Sequence, residues 1–145
     1  MPDAARRRQI VVFTLGAEHY ALPIHDVHEI IRYIEPRSVA SRTAWVRGVI
    51  SLRGRIVPVY DIAARLGIGC ELGDDAKIVI VEAGNETAGV IVDSVEEVLT
   101  VTEEQIEDVP GADAALIDSI ARVDERLIVL LTLSTIFAAP EPAPA

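Results

Sequence analysis

The chain repeats itself, and this internal repeat constrains the fold more than any other feature of the sequence. Residues 10–31 align without a gap on residues 78–99, and residues 55–62 align on residues 126–133. Beyond the apolar positions, the first alignment matches Gly16 with Gly84, Glu18 with Glu86 and Glu29 with Glu97. Chance similarity between apolar strands is the alternative explanation, and the matched glycine and glutamate positions argue against it. The repeat therefore predicts two related units, packed together because each is small, with a groove at their junction.

Short runs rich in valine and isoleucine, separated by turn residues, predict about ten β-strands. Strands at this spacing favour small barrels or a sandwich over a parallel α/β sheet. The predicted strands are Gln9–Leu15, Tyr20–Ile24, Ile30–Ile34, Val46–Leu52, Arg55–Tyr60, Lys77–Glu82, Thr87–Val92, Val95–Val101, Ile117–Val123 and Arg126–Leu133.

Three short helical turns are predicted between or after the strands. Asp61 can accept hydrogen bonds at the start of a helix over residues 62–66, and Gly67 would end that helix. Residues 102–105 have the pattern of a capping box that opens one or two turns. Residues 134–137 could form a last turn, capped by the serine at its start.

The net charge is −10, and it is distributed unevenly along the chain. Residues 1–65 carry ten arginines and six acidic residues, whereas residues 66–145 carry three basic and seventeen acidic residues. The two parts are either ordinary solvated surfaces or a polarised surface that steers different partners to different ends. Nucleic acid is a poor candidate partner, because the chain has six aromatic residues and lacks a basic aromatic face.

The composition predicts a folded protein of the cytosol. Half of the residues are hydrophobic, and no apolar run reaches the roughly 18 residues that span a bilayer. The charged segment 1–8 differs from a secretory signal, and Cys70 is the only cysteine, so an intrachain disulfide or a cysteine metal cluster is ruled out. Residues 1–8 and the Pro/Ala-rich residues 139–145 are predicted to be flexible.

No constellation of catalytic residues is recognisable in the sequence. His19, His25 and His28 are the only histidines, and their spacing fits no strong metal-ligand pattern. Glycine-rich phosphate loops and nucleophile elbows are absent, and the many acidic pairs are expected to be solvated. The sequence therefore predicts a protein that is not an enzyme and that uses no cofactor and no metal. An acid–base hydrolase is the disfavoured alternative.

Residues 46–61, VRGVISLRGRIVPVYD, form the most informative stretch of the chain. Two apolar strands flank a tight turn at Arg53 and Gly54, which predicts a β-hairpin with an exposed arginine and a glycine at positive φ. Pro58 lacks the N–H that ladder pairing needs, so its strand is predicted to lie at an edge or a bulge. On periodicity alone, Arg53 is a solvated arginine beside a turn glycine.

This stretch resembles the G-V-I-N-L-R-G-x-I-x-P-V-x-D-L signature of the CheW-like domain family. Three further motifs of the family agree in order and spacing: VFTLG at 12–16, YALPIHDVHEII at 20–31 and GVIVDSVEEVL at 89–99. Each motif alone is weak, and the four in the correct order make the resemblance specific over residues 9–137. Ser51 stands where the family usually has asparagine, a small polar exchange that is compatible with the turn.

The resemblance implies a mainly β fold of two similar five-stranded, SH3-like β-barrel subdomains packed around a groove, with a few short helices. The implied single domain covers residues 9–138, with approximate halves 9–68 and 76–138 and strands that could be exchanged at the boundary. The implied function is that of a chemotaxis adaptor, which couples the cytoplasmic tip of methyl-accepting receptors to the regulatory domain of a CheA-type histidine kinase. Such a protein is a monomer when free, and it is cytoplasmic and recruited to membrane-associated receptor arrays without inserting into the membrane.

By position, the resemblance assigns five residues to the receptor-binding groove: Val27, Glu29, Arg53, Gly89 and Val98. Arg53 and Glu29 can pair with each other, and the expected role of the pair is to orient the guanidinium rather than to stabilise the fold. Apolar anchors and a polar rim are what a helical receptor tip requires of a groove. Val27 and Val98 could instead be core residues, and Gly89 could mark a bulge or a close backbone approach.

Two alternative functions remain open on the sequence. The same fold could serve a pilus-motility or other chemosensory-like pathway, or act as an orphan scaffold, and the co-purified receptor and kinase would decide. A small β-barrel module that binds a ligand or nucleic acid is the alternative from a different class. A salt-sensitive gel shift would support that module, and the acidic second half of the chain predicts no shift.

Overall fold

Strands make up most of the protein that the structure describes. The computed structural model describes residues 7–39, 46–68, 72–83, 85–109, 111 and 117–131. In these ranges lie eleven strands: β1 Arg8–Leu15, β2 Glu18–Pro23, β3 Val27–Arg32, β4 Val46–Leu52, β5 Arg55–Tyr60, β6 Lys77–Ala83, β7 Glu86–Val92, β8 Ser94–Val101, β9 Ile106–Glu107, β10 Ser119–Val123 and β11 Arg126–Leu130. The same ranges contain the α-helix α1, Ile62–Leu66, and 3₁₀ turns at Ile24–Asp26 and Glu103–Gln105.

Each predicted strand corresponds to an observed strand, and the differences lie at the ends. β3 begins at Val27 rather than Ile30, because a polar pair at 28–29 hides the start of the strand in the apolar pattern. The two-residue β9 was not predicted, since it is too short to show alternation. The predicted turn at 134–137, the end of the last predicted strand and the flexible segment 139–145 lie outside the described residues.

The strands form two sheets, which confirms the mainly β fold class. Sheet 1 has the order β8-β1-β2-β11-β10-β9, and sheet 2 has the order β3-β6-β7-β5-β4. Two of the pairings, β2 with β11 and β5 with β7, are parallel, and the other pairings within the two sheets are antiparallel. Sheet 2 has the predicted five strands, whereas sheet 1 has six because it includes the short β9.

Each sheet combines strands from both halves of the chain. The first hairpin, β1–β2, pairs with β8 and β11 in sheet 1, and the hairpin β6–β7 pairs with β3 and β5 in sheet 2. The halves 9–68 and 76–138 therefore do not correspond to the two sheets. The exchange of strands extends to a complete hairpin from each half, rather than to strands at the boundary alone.

Three apolar clusters hold the sheets together. The sheet 1 core consists of Ile10, Val12, Ala21, Val101, Ala121, Ile128 and Leu130. The sheet 2 core consists of Ile50, Val57, Val59, Ile78, Ile80 and Ile91. Between the sheets lies the junction core, which consists of Phe13, Leu15, Tyr20, Leu22, Ile62, Ala63, Val79, Val81, Ala88, Val90, Val92 and Leu131. The strands β1, β2, β6 and β7 are thus buried on both faces, which explains their nearly continuous apolar sequences.

The helix α1 confirms the predicted cap and stop. Oδ1 of Asp61 accepts a hydrogen bond from the backbone N–H of Ala64 at 3.0 Å. Gly67 ends the helix in the left-handed conformation, with φ of 76°. Ile62 and Ala63 are buried in the junction core, so the cap positions a helix that helps to join the sheets. Within the described ranges, no helix has the length and apolar character that crossing a membrane would require.

The hairpin β4–β5 has the predicted two-residue turn. Arg53 and Gly54 have φ values of 52° and 82°, as a type I′ turn requires. The Pro58 strand was predicted to lie at an edge or a bulge. The edge is wrong, because β5 lies between β7 and β4, whereas the β4–β5 pairing does have a register shift, between Val46 and Gly48. β7 pairs only with Val59 and Tyr60, so the missing N–H of Pro58 falls just before that parallel pairing begins.

Candidate functional site: an arginine–glutamate pair on sheet 2

The turn of the β4–β5 hairpin presents Arg53 to solvent. The flanking residues Leu52 and Arg55 pair directly across the hairpin, which fixes the direction of the turn. The Arg53 side chain is 68% exposed. A two-residue turn at the end of a packed hairpin is short, so the backbone that carries this arginine is well defined. The predicted exposure of Arg53 is therefore confirmed.

A β-bulge in β3 aims Glu29 toward this turn. β3 pairs with β6, and the register shifts between Val27, opposite Val81, and Glu29, opposite Ile80. His28 is the extra residue of the bulge, so Val27 and Glu29 no longer share a face as they would in a regular strand. Val27 packs against the junction core, whereas Glu29 lies opposite a residue of the sheet 2 core.

Arg53 and Glu29 form a two-pronged ion pair, as predicted. Nη1 of Arg53 donates to Oε2 of Glu29, and Nη2 donates to Oε1 at 2.9 Å. The hydrogen bond from Arg53 lowers the pKa of the Glu29 carboxyl from its ordinary 4.5, and the same interaction raises the pKa of the guanidinium. The Glu29 side chain is only 21% exposed. The carboxylate is therefore the anchored member of the pair, and the guanidinium is the exposed one.

His28 and Glu82 lie beside this pair. Nε2 of His28 is 3.9 Å from Oε2 of Glu29, and Nδ1 of His28 is 3.5 Å from Oε1 of Glu82. The electrostatic influence of His28 adds to the lowering of the Glu29 pKa, after the larger effect of Arg53. The site is thus a small charged cluster on the edge strand β3 and its neighbour β6.

Gly89 lies in the same sheet, although it is buried. It pairs with Ile80 on one side and with Val59 on the other, so it occupies the row of sheet 2 that begins at Glu29. A Cβ atom at this position would lie 2.7 Å from Cγ2 of Ile78. Gly89 therefore marks a close approach within the sheet 2 core, which is one of its two predicted structural alternatives.

Val98 lies on the other sheet. It belongs to β8, the edge strand of sheet 1, where it pairs with Val11 and is 52% exposed. Core packing is therefore not its role. Of the five predicted site residues, the structure brings Glu29 and Arg53 into contact and places Gly89 in the same sheet. Val27 packs against the junction core, and Val98 is exposed apolar surface on sheet 1.

A second arginine–glutamate ion pair, which the sequence reasoning missed, lies on sheet 1, although its arginine aligns in the repeat with Arg55 and not with Arg53. Nη1 of Arg126 lies 2.9 Å from Oε2 of Glu97, the residue that aligns with Glu29 in the repeat. β8 also has a bulge at the equivalent place, because Glu97 pairs with Val12 and the next pair is Val95 with Phe13. The aligned glutamates were the signal that could have revealed it. Arg126 lies within a strand and is 35% exposed, about half the exposure of the turn arginine.

The chemistry that this arrangement offers is polar recognition. No group of three or more histidine, cysteine or acidic side chains that could hold a metal ion occurs among the described residues. His25 lies 3.5 Å from one carboxylate, and His28 lies 3.9 and 3.5 Å from two. What the site offers is a fixed, exposed guanidinium beside apolar strand residues.

Comparison with known proteins identifies a family with this fold. Residues 9–141 match the model of the CheW-like domain. The scaffolding protein TtCheW from Thermoanaerobacter tengcongensis, whose crystal structure is solved, superposes with a TM-score of 0.86 at 37% sequence identity. The superposition covers 93% of this chain and 90% of TtCheW.

Curated relatives match over a shorter region. The chemotaxis protein CheW of Klebsiella aerogenes is 34% identical over 74 residues, which is 51% of this chain and 45% of the relative. CheW of Bacillus subtilis is 31% identical over 74 residues, or 50% and 47% of the two chains. Protein PilI of Pseudomonas aeruginosa is 31% identical over 73 residues, or 48% and 40%. The chain thus spans just under half the length of the curated relatives it matches.

The family match and the structural match both extend over nearly all of the chain. They agree with the two-sheet, mainly β architecture. The chain belongs to the CheW-like domain family.

Proposed function

We propose that this protein is a cytoplasmic, non-enzymatic chemotaxis adaptor that couples methyl-accepting receptors to a CheA-type histidine kinase. The observation that carries the proposal is the exposed guanidinium of Arg53, fixed by Glu29, in a chain of the CheW-like domain family. Its solved structural relative TtCheW is a scaffolding protein, which supports a role without chemistry. The adaptor performs no reaction and acts by fixing the geometry of its partners.

The proposed receptor contact uses the donors that Glu29 leaves free. A guanidinium has five N–H donors in a rigid plane, and Glu29 accepts from one donor on each terminal nitrogen. The remaining donors of Arg53 point away from the carboxylate and are available to acceptors on a receptor. Because Glu29 already restricts the side chain, binding loses less conformational entropy than a freely rotating arginine would lose.

Apolar residues near the junction supply the rest of the proposed groove. Val98 and Ile30 are exposed, at 52% and 40%, although both lie on strands. Val27 is partly buried against the junction core. An apolar helical tip of a receptor can pack on such residues while its polar groups meet Arg53. Gly89 is buried, so its contribution to binding is to permit the close packing beneath the groove.

The kinase contact is assigned to a different surface from the receptor contact. Two sheets that share a junction core offer two separate outer surfaces on one rigid body. Apolar residues on exposed strands would meet the regulatory domain of the kinase over a modest, reversible interface. A receptor bound on one surface would then be held at a fixed position relative to the kinase.

The test is a pull-down with a receptor cytoplasmic fragment and a CheA-type kinase, using Arg53→Ala and the matched variant Arg126→Ala. Arg53→Ala should weaken binding of the receptor fragment about tenfold or more, because a charge-assisted contact is lost. Kinase binding and the melting temperature should change little. Arg126→Ala removes the ion pair with Glu97 on sheet 1 and should leave receptor binding unchanged.

Two results would contradict the proposal. Unchanged receptor binding by Arg53→Ala would show that the exposed guanidinium is not the contact. If Arg53→Ala and Arg126→Ala weaken receptor binding equally, and both variants melt at a lower temperature, the two ion pairs stabilise the fold and do not contact the receptor.

A pilus-motility pathway is the second candidate, favoured by one observation. PilI of Pseudomonas aeruginosa matches 48% of this chain at 31% identity, a little less than CheW of Klebsiella aerogenes, which matches 51% at 34% identity. The adaptor mechanism would be the same, and only the receptor and kinase would differ. Mass spectrometry of the receptor and kinase that co-purify with the protein distinguishes the two pathways.

A further inference from the structure

The outer face of the β4–β5 hairpin is an apolar surface that the proposed receptor contact does not use. Ile56 and Ile34 are 69% and 49% exposed, and both line a shallow concavity of about 360 Å³. Val49 and Ser51 of β4 form its floor. Ser51 pairs with Ile56 across the hairpin, so these two residues lie on one face, opposite the sheet 2 core.

This surface adjoins the outer edge of sheet 2, which the segment at Arg37 covers only in part. β4 is the last strand of sheet 2, and among the described residues its outer side is paired at one point, where Val49 and Arg37 exchange both backbone hydrogen bonds at 2.8 and 2.9 Å. Leu52 and Arg55 close the two-residue hairpin and form a hydrogen-bonded pair. Hydrogen-bonded pairs alternate along an antiparallel ladder, so the backbone groups of even-numbered β4 residues near the turn bond to β5, and those of odd-numbered residues point away from β5. The backbone N–H and C=O of Ser51 therefore face outward, and no backbone partner for them occurs among the described residues.

The charges around the edge are predominantly basic. Arg37 lines the concavity, and Arg55 directly follows the turn of the hairpin. Glu35 is the one acidic residue of its lining. Within the described ranges, neither Arg37 nor Arg55 makes an ion pair with a carboxylate.

We propose that the β4 edge binds an extended segment of a partner protein as an added strand, and that this segment alternates apolar with acidic residues. The outward backbone groups of Ser51 would pair with the segment, and its apolar side chains would pack on Ile34 and Ile56. Its acidic side chains would face the arginines. A helix offers no backbone groups to this edge, and a second copy of this chain would bring the same arginines against each other.

The probe is a capped seven-residue peptide of alternating glutamate and isoleucine, added to the intact ¹⁵N-labelled protein. At about 0.1–1 mM it should shift the amide signals of Ser51 and its neighbours and slow the exchange of the Ser51 amide. The same peptide with lysine in place of glutamate, and one with N-methylated alternate residues, should bind at least about tenfold more weakly. Both controls keep the apolar side chains.

Ile56→Glu and Leu127→Glu form the matched pair of variants. Both side chains are exposed, and they occupy aligned positions of the repeat, on the β4–β5 and β10–β11 hairpins. Ile56→Glu should weaken peptide binding about tenfold or more, because it removes apolar surface and adds a like charge. Leu127→Glu should bind as the parent does, and both should melt near the parent temperature.

Several outcomes would overturn the inference. The first is that the Ser51 amide signal does not shift when the peptide is added. The second is that the N-methylated peptide binds as tightly as the unmodified one. The third is that Ile56→Glu and Leu127→Glu change peptide binding equally. A concentration-dependent dimer that Ile56→Glu abolishes would overturn it in favour of self-pairing. Each outcome is independent of the Arg53→Ala experiment, which uses a receptor fragment and tests the adaptor function.

Discussion

Arg53 occupies a backbone conformation that suits glycine better than arginine. With φ of 52°, it lies in the left-handed region, which costs an L-residue about 1–2 kcal/mol. The type I′ turn needs this conformation at both central positions, and Gly54 supplies it at the second. Asp124 also has a positive φ, of 56°, in the two-residue turn between β10 and β11, so a hairpin turn of this length imposes a positive φ on whichever residue stands first.

At this scale the first prediction concerns Gly54→Val. The glycine has φ of 82°, and no atom lies within 4 Å of the position that a Cβ would take, so the substitution strains the backbone without a collision. The variant should be less stable by about 1–2 kcal/mol, as measured by urea unfolding, since a β-branched residue resists positive φ. Gly54→Asn is the control and should lose clearly less stability. Equal stability of Gly54→Val and the parent would mean that the turn conformation differs from the one described.

Only part of the candidate site could be predicted from the sequence. Arg53 on its turn followed from a local pattern, because two apolar strands and a glycine predict a hairpin without knowledge of the rest of the chain. The orientation of Glu29 depends on the bulge at His28, which exists only because β3 pairs with β6. Since a bulge is a property of the pair of strands, the sequence of one strand could not reveal it.

Among the elements, the strands were predictable and their partners were not. Valine-rich runs and turn residues mark where strands begin and end, and the predicted and observed ranges agree closely. The parallel pairings of β2 with β11 and of β5 with β7 join residues far apart in sequence. These pairings depend on packing around three cores, and local propensity contains no information about them.

The prediction at the scale of elements concerns the cap of α1. Asp61→Ala removes the acceptor for the Ala64 N–H and the partner of the Arg47 Nε, which is 3.2 Å from Oδ2. The variant should lose about 0.5–2 kcal/mol of stability in urea unfolding, the usual cost of an N-cap. Asp61→Asn keeps a capping oxygen and removes the charge, so it should recover most of the loss. If Asn and Ala destabilise equally, the ion pair with Arg47 is the important contact and the cap is not.

For the whole molecule, the exchanged hairpins make the two sheets dependent on each other. β1–β2 completes sheet 1 although it precedes every other strand of that sheet, and β6–β7 completes sheet 2 from the second half of the chain. These same four strands provide most of the junction core. The repeat predicted two packed units. It could not show that each sheet contains a hairpin from the other half of the chain, because a repeat reveals that two segments are similar and not which strands they pair with.

The last prediction follows from this exchange. Residues 9–68 expressed alone keep β1–β2 and β4–β5, but they lack β6, β7, β8 and β11, with which β1, β2, β3 and β5 pair in the intact protein. Residues 76–138 expressed alone lose the same four strand pairings, because the partner strands belong to the first fragment. Each fragment should therefore be unfolded by circular dichroism and amide dispersion, since neither can bury a complete core.

An equimolar mixture of the two fragments should recover the β signal and a single cooperative melting transition. All contacts between the exchanged hairpins and the sheets are non-covalent, so breaking the chain between residues 68 and 76 leaves every strand pairing available. Phe13→Ala in the first fragment is the control: it removes a fully buried ring of the junction core and should weaken recovery by about 3–5 kcal/mol. A fragment that folds cooperatively without its complement would show that one half holds a complete core, and the exchanged topology would then be wrong.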